Sequence, residues 1–226
     1  MLDVPLRPAF SVRAATAAGI VAATLAATLA ATTQAYTVNL TPAAPKTIYL
    51  QIGVGAFTGG NYLSNGQPAR NAFVNTVSAS IAAAVVGNGT AQTMTTDSTA
   101  ANSFYDSFPF CNLPNQLYIG GFYRTTGAVT GAAQVIASVP LSLTDATGDT
   151  IPFTQIKWSA GGNGPTGTTA TQPFPSGAFT GVATQNVGAI ASNQWAESCW
   201  TFSYLNTAVP AGGTYTGVVT YTLTSP

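Results

Sequence analysis

The sequence predicts an all-β fold: a single antiparallel β-sandwich, Ig-like or jelly-roll, after an N-terminal signal peptide. Three observations carry that expectation. Short runs alternate apolar and polar side chains, the period-two signature of half-buried strands. Gly, Pro, Asn and Asp punctuate these runs about every 8 to 15 residues, which gives roughly nine or ten short strands. No amphipathic helical pattern follows residue 35.

Residues 1–35 stand apart from the rest. Arg7 and Arg13 mark a basic start, residues 14–31 form an uncharged Ala/Leu/Thr/Val run, and Thr33-Gln34-Ala35 offers small residues to a signal peptidase. Cleavage after Ala35 is expected; a retained membrane anchor is the alternative, disfavoured by the low hydrophobicity of so much Ala and Thr. The domain is then residues 36–226. It opens on an extended arm over 36–46, in which Tyr36, Val38 and Leu40 share one parity before Pro42 and Pro45 interrupt any ladder.

Along the domain, residues 47–57 put Ile48, Leu50, Ile52 and Val54 on one face of a strand, and the Gly, Asn and Pro residues between 59 and 68 read as turns. Residues 73–86 alternate Phe73, Val77, Ile81 and Val85 with Ser and Thr, which predicts a strand despite the alanines, with 90–96 as its hairpin return. Residues 100–114 form an aromatic-rich loop leading to Cys111. Strands follow at 117–124, where Gly120-Gly121 permit a bend or bulge, and at 134–143. The turn Asp145-Ala146-Thr147-Gly148-Asp149 leads into a strand at 150–158. Residues 159–176, mostly Gly, Pro and Thr, read as a long loop. Strands at 178–183, 188–195, 198–205 and 214–225 complete the set. In the last of them Tyr215, Val219, Tyr221 and Leu223 occupy one parity and threonines most of the other.

Charge and cysteine narrow the function. Residues 36–226 hold four basic residues (Lys46, Arg70, Arg124, Lys157) and five acids (Asp97, Asp106, Asp145, Asp149, Glu197), a net charge of −1. So little charge gives no long-range attraction to nucleic acid or an anionic membrane, and neither partner is expected. It also departs from the mixed-charge surface that keeps soluble monomers apart, which suits a protein packed against copies of itself. Cys111 and Cys199 are the only cysteines; in an exported chain they are expected to form one disulfide.

The chemistry-bearing residues argue against catalysis. With no histidine, Ser–His and Cys–His schemes lack their base, and zinc or copper lacks its commonest ligand. Asp106 and Glu197 are the one carboxylate pair a glycosidase could use, but a turn cap for Asp106 and a local hydrogen bond for Glu197 are the expected roles. Asp145 and Asp149 supply too few oxygens for a calcium site, and their spacing suits a hairpin turn. No catalytic residue, metal or cofactor is expected. Of the tryptophans, Trp200 shares a strand face with Phe202 and Tyr204 and reads as core. Trp195, beside Asn193 and Gln194, is the candidate ligand contact, since an aromatic face suits a sugar ring.

The two ends of the chain, Tyr36, Val38 and Leu40 at one and Tyr215, Val219, Tyr221 and Leu223 at the other, together with the turn and strand of residues 145–153, resemble secreted pilin-like subunits of the chaperone/usher type. The resemblance covers about a fifth of the chain. The prolines at 42 and 45 and the late position of both cysteines depart from that pattern. It implies an Ig-like sandwich that polymerises by strand exchange, with the residues at both ends as subunit contacts. A secreted structural subunit of a cell-surface fibre or matrix, with copies of itself as partner, is therefore the expected function. A secreted module binding a glycan or host surface, with Trp195 and the 159–176 loop at its site, is the alternative.

Overall fold

Alternation becomes strand from Lys46 onward. The computed structural model describes residues 46–69, 73–126, 131–162 and 172–226, all within the compact unit Thr41–Pro226. The expected signal peptide, the arm residues Tyr36, Val38 and Leu40, Arg70 and residues 163–171 of the long loop lie outside the described residues.

The chain is all-β and antiparallel, with only two single-turn 3₁₀ segments among the described residues. β1 (Lys46–Ile52) ends where Gly53 turns with φ +69°, so the expected strand over 47–57 is split, and β2 (Ala56–Thr58) pairs instead with β3 (Gln67–Ala69). The strand expected at 73–86 does not form. Only β4 (Val77–Ser78) pairs, and a 3₁₀ turn occupies Ala83–Val85. The physical reason is bulk: alanines and serines bury too little apolar area to hold a strand on a core, and Phe73 and Val74 point to solvent. The return segment is divided as well, β5 (Gln92–Thr93) joining a different strand from β6 (Thr95–Thr96), which pairs with β4.

The remaining strands carry the sandwich. β7 (Leu117–Thr125), β8 (Ala132–Ser138), the hairpin β9 (Ser142–Thr144) and β10 (Thr150–Pro152), then β11 (Ile156–Gly161), β12 (Gly177–Ala178), β13 (Thr184–Ala191), β14 (Gln194–Tyr204) and β15 (Thr220–Thr224) follow in order. Pro140 separates β8 from β9, a 3₁₀ turn at Phe153–Gln155 separates β10 from β11, and the strand expected at 178–183 shrinks to β12. The turn between β13 and β14 falls at Ser192-Asn193, where Asn193 takes φ +59°, rather than at 196–197. β15 covers less than half of the strand expected over 214–225, since residues 211–219 run as loop with a single bridge from Thr216 to Thr144.

One sheet has the order β1-β7-β14-β11-β12, with β5 on the stretch of β14 that β7 leaves free; the other has the order β13-β8-β15. Their facing sides enclose Ile119, Trp158, Trp200, Phe202, Val135, Ile190 and Leu223. Each fully buried aliphatic among these, such as Ile119, Val135 or Ile190, contributes about 1.5–3 kcal/mol of transfer free energy. The 172–176 end of the long loop docks here too. Phe174 is completely buried, and the carbonyls of Phe174 and Pro175 accept the indole N–H groups of Trp200 and Trp158 at 3.0 and 2.9 Å.

β7 is buried on both faces along Leu117–Tyr123, a pattern normally found where layers cover a sheet on both sides. Leu117, Ile119 and Tyr123 face the sandwich; Tyr118 and Phe122 face outward under a second layer made of loops. Gly120 and Gly121 do not bulge, since both neighbours pair in register through them. Their role is close approach. A Cβ on Gly121 would sit 2.0 Å from the Tyr49 carbonyl oxygen, and one on Gly120 would strike the Tyr118 ring.

Candidate functional site

The outward face of β1, β7 and β14 carries Tyr49, Tyr118, Phe122 and Trp195 by strict alternation with the core residues. Loops bring Phe57, Tyr62, Phe104 and Tyr105 down onto them, so an aromatic layer forms on this face. Trp195 lies within it, its ring centroid 4.9 Å from Tyr62, 5.9 Å from Phe57 and 6.1 Å from Phe122. It is half-buried and held by its neighbours rather than presented as an open platform. Trp200 is core, as the strand face it shares with Phe202 and Tyr204 implied, and Trp158 is core beside it.

Beneath this layer lies Glu197, only 6 % exposed. Ser103 Oγ donates to its Oε1 at 2.7 Å, while Tyr118 OH at 2.7 Å and Trp195 Nε1 at 2.9 Å both donate to its Oε2. Burial pushes the carboxyl above its ordinary value of 4.5, the three donors offset part of that rise, and the charge of Asp106 adds to it. The same burial, then the Glu197 charge and hydrogen bond, drives the Tyr118 hydroxyl well above its usual range, and burial alone lifts Tyr49 to about 12.

The loop bearing Ser103 is tied to the sheet a second time. Cys111 and Cys199 form a disulfide with their Cα atoms 5.5 Å apart, surrounded by Phe110, Tyr118 and Phe104. Asp106 belongs to the same loop. Its backbone N–H donates to Ser103 Oγ and its carboxylate accepts the Phe108 N–H at 3.0 Å, as a turn cap does. The two acids singled out in the sequence are thus joined through Ser103, with Glu197 fully engaged as an acceptor. Asp145 accepts from the N–H groups of Thr147 and Asp149 at 3.0 and 2.8 Å and organises its hairpin turn. Among the described residues no three His, Cys, Asp or Glu side chains come together.

Two more features frame the site. Arg124 follows β7's outward parity and lies over the rings of Tyr62 and Phe122, at 5.0 and 5.2 Å from their centroids. Its Nε and Nη2 both donate to the Tyr62 hydroxyl, at 3.1 and 2.7 Å. At the edge of the same sheet, β1 and β15 run beside each other as the outer strands of their sheets, with no backbone hydrogen bond between them. Lys46 Nζ donates to the Pro226 carbonyl oxygen across their ends.

The C-terminal contact candidates sit within the chain's own sandwich: Leu223 is buried, and Tyr215, Val219 and Tyr221 pack against the core, the Tyr221 ring 5.9 Å from Trp200. Among the described residues, what remains open on β15 is the backbone edge that faces away from β8. No protein-family model matches the chain, and no curated protein or solved structure is close enough to count as a match.

Proposed function

We propose that this chain is a non-enzymatic structural subunit of an extracellular or cell-surface fibre or matrix, joined to copies of itself by strand addition at the seam between β1 and β15. One observation carries the reading. Ile48 lies on β1 with the core-facing parity of Leu50 and Ile52, opposite the buried Tyr123, and yet it is 43 % exposed. Core-facing apolar surface left uncovered between two edges that are unpaired among the described residues is what an added strand would complete, with backbone bonds supplying affinity and alternate side chains the fit.

The occupant is the 36–40 segment of another copy. Tyr36, Val38 and Leu40 give three apolar residues on one parity, and five residues span about 17 Å at strand rise, the length of the five-residue β15. A head-to-tail contact of this kind does not close, so it builds a filament. The disulfide and the near absence of charge fit the exported setting that this role requires.

The test is Ile48→Glu in the mature chain, beside deletion of residues 36–40. Because Ile48 is half-exposed, the substitution costs the fold less than about 1 kcal/mol. Both variants should run as monomers by light scattering and show no filaments in negative-stain micrographs. Filaments of unchanged length from either variant overturn the proposal.

A further inference from the structure

Arg124 has no function in the assembly reading, and its surroundings are built. It is exposed, makes no ion pair among the described residues, and donates two N–H groups to a single tyrosine oxygen, which leaves the rest of the guanidinium fork free. The rings of Tyr62 and Phe122 hold that fork flat. Tyr62 is itself braced, stacked on Tyr105 with centroids 5.8 Å apart and packed on Trp195. A pocket of about 120 Å³ opens beside the guanidinium, lined by Tyr62, Asn65, Gln67, Pro68, Phe122 and Arg124.

We infer that this pocket binds a uronate unit of an acidic polysaccharide. The guanidinium is a planar double donor, matched to a carboxylate by two parallel hydrogen bonds. The pocket's volume equals the share of about four water molecules, room for a carboxylate and the carbons next to it. Among the described residues Arg124 is the one charged side chain lining the pocket, so a group of single negative charge is favoured over a phosphate monoester. The rest of the polar lining among the described residues is neutral: the Asn65 side chain and Gln67 Oε1 have no hydrogen-bond partner among those residues, and amides of this kind pair with the hydroxyls flanking a sugar carboxylate. Trp195, 4.9 Å from Tyr62, reports on the pocket without forming its wall.

The experiment is a tryptophan-fluorescence titration of the mature chain with an oligogalacturonate, its methyl ester and hexaglutamate. The oligogalacturonate should bind in the millimolar range or tighter, and more weakly as salt rises. Its methyl ester should not bind, and hexaglutamate should compete poorly. Arg124→Gln should weaken binding about tenfold or more, and Arg124→Lys, which keeps the charge but loses the fork, should bind between the two. Unchanged thermal melting would show that both variants fold. Equal binding by the methyl ester, equal competition by hexaglutamate, or an unaffected Arg124→Gln variant each overturns the inference. All three outcomes leave the assembly proposal untouched, since Arg124 lies on the outward face of β7 while the seam uses the free edge and core-facing side of β1.

Discussion

Glu197 is the residue on which the outer layer turns. Its carboxylate is buried, and removing it leaves three donors without the acceptor they share, so Glu197→Ala should cost about 2–5 kcal/mol in urea unfolding. Its pH dependence has a definite sign. A carboxyl whose folded value lies above its unfolded one stabilises the fold fully below the unfolded value and loses that contribution as pH rises through the folded one. Glu197 is such a group, with 4.5 as the ordinary value from which burial raises it. Glu197→Gln keeps the shape and removes the titration, so the wild-type melting temperature minus that of the variant should fall as pH is raised from about 4 to about 7. A difference that is flat, or that grows in favour of the wild type, would show that burial does not govern this carboxyl. Asn206 is a second buried polar residue. At φ +58°, its Nδ2 donates to the Val85 carbonyl and to Asn88 Oδ1 while its Oδ1 accepts the Gly87 N–H, which fastens the 82–90 segment that no strand holds.

At the scale of elements, the strands legible in the sequence were those with two apolar parities or a bulky one. The strand expected at 117–124 forms, and that expected at 198–205 forms as part of the longer β14, because Leu, Tyr, Ile, Phe and Trp leave no other packing solution. The failure at 73–86 came from treating Ala and Ser as if alternation alone could bury area. The turn expected at 196–197 falls instead at 192–193, because Glu197, by its parity with Trp195 and Cys199, is buried under the outer loops and continues the strand. The disulfide was legible from two cysteines and the expectation of export, whereas the outer layer was not. Its partners come from four separate segments, and only the doubly apolar pattern of β7 hinted that a second layer existed. The loop over that layer depends on its tether. Cys111 and Cys199 are 88 residues apart, and closing such a loop stabilises by about 4–5 kcal/mol on the chain-entropy account. The Cys111→Ala/Cys199→Ala double variant should therefore lose about 4 kcal/mol in urea unfolding, with Trp195 emission shifted to the red as Tyr105 lifts from it. A loss below about 1 kcal/mol would show that the aromatic contacts hold the loop without the tether.

For the molecule as a whole, the governing quantity is the charge it lacks. Six basic and six acidic residues in 226 leave a surface solvated by threonine, serine, asparagine and glycine, and such surfaces neither repel at a distance nor attract selectively. If copies join through backbone hydrogen bonds and the apolar strip at Ile48, simple salt has little to screen, because interactions between exposed charges already fade beyond a Debye length of about 10 Å at 0.1 M. Excluded salts act differently: sulfate strengthens burial of apolar surface whatever the charge. The protein concentration at which fibres first sediment should change less than about twofold between 0.02 and 0.5 M sodium chloride, and should fall clearly in ammonium sulfate at equal ionic strength. Binding of an acidic sugar at Arg124 should show the reverse, weakening as sodium chloride is added, so the two interactions separate on one salt series. A steep chloride dependence of sedimentation would place charged groups in the subunit contact, and the β1/β15 seam, whose exposed core-facing side chain is an isoleucine, could not be that contact.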